Sequence, residues 1–208
     1  MYGLIIESAV KLHLMHLKSV LDVVGDSVKD YNWMLSSYAL YPKPIKELSE
    51  YGDGRYTWLD GDELIGIVNT HDVCFDWCVA TAYNKTIALK DILEYPIPYA
   101  DGYRGFWTPN ITMQNPLADM EIVFWHYTDL LVFSKQEKIV SKFNAKYPQS
   151  FELSEYNIRT LNESIERELK NPNEPWVSSK ISSIEEYKLE KYIKLELYEQ
   201  LQAVFKSY

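Results

Sequence analysis

A chain of 208 residues, 47% hydrophobic and with a formal net charge of −9, has room for one domain plus an appendage and too much apolar material for a wholly disordered chain. Thirty acidic against 21 basic residues give a surface that repels phosphate backbones and anionic headgroups, so nucleic acid and membrane are disfavoured as partners and a basic protein is favoured. No apolar run reaches the roughly 18 residues needed to cross a bilayer. The N-terminus carries Glu7 inside its apolar stretch and lacks a basic leader, so it does not read as a signal peptide and the expected compartment is the cytoplasm.

Residues 2–6 read as a short buried strand. Ser8 is placed to cap a helix from Ala9 to Val24, with Val10, Leu14, Leu17, Leu21 and Val24 along one face and Gly25 at its stop. Residues 31–41 read as extended and end at Pro42 and Pro44, and residues 49–56 are turn-like. Asp60 is a cap for a short helix whose first turn carries Asp62 and Glu63, favourably placed for the helix dipole. Residues 73–82 (VCFDWCVATA) are the clearest central strand. A short helix is expected at 88–94 with Thr86 as its cap.

Residues 95–116, rich in Pro, Gly and aromatics, form the longest irregular stretch. MEIVFWHY and LLVFS then read as a hairpin around Thr128 and Asp129, followed by a helix over 135–147 stopped by Pro148. Beyond residue 150 the pattern is helical, over 155–170 and 181–206, broken at residues 171–175. Leu189, Ile193, Leu197, Leu201 and Phe205 form a stripe in the last helix that needs a partner surface, either the chain's own body or a second copy in a homodimer. The element order argues an α/β or α+β fold, a mixed sheet layered with helices, as a core domain over 1–150 with a helical C-terminal segment over 151–208 packed on it.

Cys74 and Cys78 fall on one face of a strand about 13 Å apart, beyond disulfide reach, and are expected to be reduced core thiols. His13 and His16 are three residues apart on the first helix, but nothing completes a metal site around them, and no metal or other cofactor is implied. Asp60, Asp62, Glu63, Asp72 and Asp76 are the residues on which a metal-dependent hydrolytic or small-molecule enzyme would rest, although their spacing fits no EF-hand. No P-loop, dinucleotide or nucleophile-elbow motif occurs. The surface feature that stands out is YADGYRGFWTPN, with Tyr99, Tyr103, Phe106 and Trp107 beside Asp101 and Arg104. Aromatics and Arg are the types enriched at binding hot spots.

The stretch over 113–148 with SEYN at 154–157 resembles segments of small uncharacterised bacterial proteins of the immunity-protein type, antidotes encoded beside secreted toxins in polymorphic or contact-dependent systems. The resemblance implies a partner-occluding inhibitor and contains no motif whose residue roles transfer. The reading of the residues and the resemblance together is a non-enzymatic binding protein that neutralises a basic partner, such as a toxin, through Tyr99, Asp101, Tyr103, Arg104, Phe106 and Trp107. The alternative is a hydrolytic enzyme using the Asp60–Asp76 region.

Overall fold

The computed structural model of the chain describes residues 1–7, 16–41, 54–170 and 174–206. The expected cap Ser8, the apolar positions Val10 and Leu14, His13, and the stop at Pro42 and Pro44 lie outside the described residues. The chain divides into two compact units, one of residues 1–105 and 112–152, the other of residues 106–111 and 153–208.

The first unit is built on a sheet whose seven described strands are β1 (Tyr2–Glu7), β2 (Tyr31–Tyr41), β3 (Tyr56–Asp60), β4 (Cys74–Asn84), β5 (Met120–Trp125), β6 (Asp129–Ser134) and β7 (Phe151–Glu152). They lie in the order β3-β2-β4-β5-β6-β1-β7. Every pairing is antiparallel, so of the two classes left open by the sequence this is the α+β one. Five helices of eight or more residues are described in the chain before residue 190, and with the shorter ones they are numbered here in order: α1 (Leu17–Val24), α2 (Gly61–Thr70), α3 (Leu89–Ile92), α4 (Glu137–Lys146), α5 (Leu153–Leu169) and α6 (Glu174–Tyr187), with α7 (Leu195–Lys206) following.

Alternation along the strands divides the sheet into two faces. Cys78, Ala80 and Ala82 of β4 and Ile122 and Phe124 of β5 join Trp33 and Leu35 of β2 on one face, where Leu17, Leu21 and Val24 of α1, Leu64 and Val68 of α2 and Phe143 of α4 pack. Trp33 is fully buried and still satisfies its indole, donating to Val28 O at 3.0 Å. The opposite face carries Val79, Thr81 and Tyr83 of β4 against Val123 and Glu121 of β5, all fully buried.

Two helix boundaries differ from expectation. His16 is extended and pairs with Cys74 as a β-bridge, so α1 starts at Leu17, not within one helix running from Ala9. The backbone N–H of Leu17 donates to Val73 O at 2.8 Å and draws the chain towards the strand. Thr86 caps nothing: the N-cap of α3 is Ala88, and Thr86 instead turns back on Asn84 Oδ1. Gly25 does end α1, with φ 74°, a left-handed value glycine adopts at low cost.

In the second unit the expected long helix over 181–206 is broken. Lys188 takes φ 51° after α6, a 3₁₀ turn runs over Glu190–Tyr192, and α7 begins at Leu195. The break folds the apolar stripe onto itself: Leu189, Ile193, Leu197 and Leu201 cluster with Ile165, Ile181 and Ile184. The stripe thus has partners inside its own unit, while Phe205 remains exposed. Asn162 of α5 holds the break, donating to Tyr192 O at 3.0 Å and accepting from Lys194 N at 2.9 Å. No described helix is long and apolar enough to cross a membrane.

Candidate functional site

The Pro- and Gly-rich sequence at 95–105 is pinned to the sheet at several points. A β-bulge in β2, where the register slips between Ser36 and Ala39, puts Ser37 at φ 49°. From this bulge Ser36 Oγ donates to Pro98 O at 2.7 Å, and Ser37 Oγ accepts from Ala100 N at 3.2 Å. Gln114 closes the other side, its Oε1 accepting from Tyr99 N at 3.0 Å and its Nε2 donating to Tyr99 O at 2.9 Å. Tyr103 N donates to Ala100 O, closing a turn whose third residue, Gly102, has φ 80°. That is the type II position glycine favours.

This scaffold displays a small ledge. The Tyr99 ring is 47% exposed and meets Tyr103 edge-on, with centroids 5.4 Å apart. Asp101 and Arg104 are exposed and Tyr103 is half-buried. The six residues singled out from the sequence are not all equivalent. Phe106 is fully buried and offers a partner no surface. Its segment, 106–111, belongs to the second unit, where Asn157 Nδ2 donates to both Phe106 O and Thr108 O at 2.9 Å and Ser154 Oγ donates to Pro109 O. Trp107, in the same segment, is half-buried.

Beneath the ledge lies a feature that the sequence reading missed. Gln114 N donates to Oε2 of Glu121 at 3.2 Å, and the Glu121 side chain is wholly enclosed. Its Oε1, Thr81 Oγ1 and Tyr83 Oη are buried without a hydrogen bond of good geometry. Burial pushes the Glu121 carboxyl up to about 8, with Gln114 pulling the other way. Burial also raises the Tyr83 phenol well above its ordinary value; the neighbouring Glu121 adds to this and the nearby Thr81 hydroxyl counteracts it in part. The available signal was the single carboxylate in the strand MEIVFW, at the alternate position shared with Val123, which faces inward.

A second missed group is the Trp77–Trp125 pair at the far end of the same face, rings 4.7 Å apart and nearly perpendicular. His126 packs on Trp77, and both His126 and Tyr127 have positive φ in the turn between β5 and β6. The hairpin expected around Thr128 and Asp129 is thus present, with its turn over 126–128.

The acidic set does not converge. Asp60 Oδ1 accepts from Asp62 N and Glu63 N, both at 2.8 Å, while Glu63 returns the bond to Asp60 N. Asp62 pairs with Lys29 at 3.0 Å and Asp72 with His16 at 2.6 Å. No group of three His, Cys, Asp or Glu side chains suited to hold a metal occurs among the described residues. Cys74 and Cys78 are unpaired and buried, and burial raises both thiols, Cys78 strongly, with the charges of Asp72 and Asp76 adding a smaller push at Cys74.

No family model, curated protein or solved structure matches this chain.

Proposed function

We propose that this chain is a non-enzymatic binding protein, an immunity-type inhibitor that neutralises a basic protein partner by occluding it in the cytoplasm. The observation that carries the reading is the ledge of Tyr99 and Tyr103, ordered by side-chain bonds to its backbone and flanked by the exposed Asp101 and Arg104. A loop already ordered in its binding shape loses little entropy on association. Tyrosine rings supply contact area, and a net charge of −9 speeds encounter with a basic surface. Tyr99, Asp101, Tyr103 and Arg104, all of the first unit, carry the contact. A homodimer through the last helix has less behind it, since Leu189, Ile193, Leu197 and Leu201 are already buried within their unit.

The enzymatic alternative also has less support, because Asp60 and Glu63 are spent on a helix cap, Asp62 on an ion pair with Lys29 and Asp72 on a hydrogen bond with His16. The test is binding kinetics with a partner purified from the host and identified by mass spectrometry. Because the clasp at Tyr99 uses only its backbone, Tyr99→Ala keeps the loop and is expected to weaken binding by about 2 kcal/mol, roughly thirtyfold, through faster dissociation. Asp101→Asn is expected to slow association at low salt, a difference that added salt erases. Unchanged kinetics in both variants would remove the ledge from the interface.

A further inference from the structure

The covering segment and the buried carboxyl meet in one residue. Gln114 bonds the Tyr99 backbone with its side chain and Glu121 with its own backbone N–H. Glu121 is therefore linked to the ledge through a single intermediary. An enclosed carboxylate needs a cation or several donors. Here its donors among the described residues are the neutral backbone N–H and side-chain amide of Gln114, and Oε1 has no hydrogen bond of good geometry. Among the described residues the groups facing it supply no positive charge: Tyr83 and Thr81 stand on β4, Phe133 lies opposite on β6, and Gln114 covers it. On its own strand's approach, Asp119 is engaged with Lys135 at 3.5 Å.

From this geometry we infer that Glu121 is a proton-operated latch on the segment bearing Tyr99 and Tyr103: neutral, it keeps Gln114 seated, and ionised, it draws water in and lets that segment lift. The O–H bond of the carboxyl breaks, the proton passes to solvent, and the electron pair stays on the carboxylate. The charge strengthens the bonds from the Gln114 backbone and side chain but leaves Oε1 without a well-formed one, and desolvation outweighs the gain. Water must then enter by the weakest wall. On either side of Glu121, β4 and β6 are held by continuous ladders, whereas the cover is held by separate side-chain bonds from Ser36, Ser37 and Gln114. The latch opens there.

That the released ledge is a binding surface rests on the function proposed above; the latch itself is tested on the free protein. Carboxyl and amide NMR resonances are followed from acid to alkaline pH. The Glu121 carboxyl is expected to titrate with a midpoint of about 8, and the amides of Tyr99 and Gln114 to move with that midpoint. Chymotrypsin cleavage after Tyr99 or Tyr103, taken relative to Glu121→Gln, is expected to rise about tenfold per pH unit below the midpoint, following the ionised fraction. Glu121→Gln is expected to abolish both responses; should that variant not fold, the wild-type titration decides alone. A Glu121 midpoint in the ordinary carboxylate range would overturn the latch, as would a titration that leaves the Tyr99 and Gln114 amides in place. Loss of partner binding above the midpoint would extend the latch to function, and a failed partner assay would leave the free-protein result standing.

Discussion

The side-chain amide of Gln114 reads the backbone of Tyr99 as a neighbouring strand would, donating to its carbonyl at 2.9 Å and accepting from its N–H at 3.0 Å. Two bonds from one residue hold a segment that no ladder holds. Gln114→Ala is expected to remove both, at a local cost of about 1–3 kcal/mol. Hydrogen exchange checks this: the Tyr99 amide should lose protection while the amides of β4 and β5 keep theirs.

The capping box at α2 gives a second prediction, one that separates the two functional readings. Asp60→Ala leaves the Asp62 and Glu63 amides without their acceptor and is expected to cost about 0.5–2 kcal/mol. Glu63→Gln keeps a side chain able to close the box and should cost less. Thermal denaturation measures both. Partner affinity at temperatures where the variants stay folded should be unchanged, whereas a hydrolase built on these acids would lose its activity.

The third prediction concerns pH and the Glu121 cluster. The native carboxyl titrates at about 8 against an ordinary 4.5, so between these values the folded protein holds a proton that the unfolded chain has released. Stability is therefore full below 4.5 and falls as pH rises towards the native value, by at most about 1.4 kcal/mol per pH unit. Denaturant melts across this window should show that slope in the wild type and its absence in Glu121→Gln. Tyr83→Phe deletes a buried hydroxyl with no well-formed bond and should cost less than about 0.5 kcal/mol.

The fourth lies in the second unit. Leu201 is fully buried in the cluster with Ile165, Ile184 and Leu197, and Leu201→Ala is expected to cost about 2–5 kcal/mol. Truncation at Pro175 removes Ile181, Ile184 and everything after them, stripping the apolar face of α5 around Ile165. Light scattering should report aggregation of the truncated chain; a clear, monodisperse solution would show that α5 stands without them.

Elements with a strong local signal were legible in the sequence. The strand over 31–41 matches β2 end to end, and Asp60 caps α2 as its spacing with Glu63 indicates. Leu189, Ile193, Leu197 and Leu201 were legible as buried positions, yet the break at Lys188 was not. A regular apolar repeat reads as one helix, and only the tertiary bonds of Asn162 mark the interruption. In the candidate site, Tyr99 and Tyr103 were legible by type, but Phe106 looked the same and is core. What distinguishes them is contact with residues far along the chain, from Ser36 to Asn157, and composition does not encode it. Glu121 escaped notice because its neighbour across the sheet, Thr81, is also polar and unremarkable alone.

The order of strands also bears on how the molecule comes into being. Of the seven described strands β1 comes first along the chain, yet it pairs on one side with β6 and on the other with β7, as in Ile5 between Leu131 and Phe151. Its hydrogen-bonding edges therefore stay unmatched until β6 and β7 have been synthesised. Contacts so distant in sequence slow folding, and an apolar strand waiting with both edges open invites wrong partners.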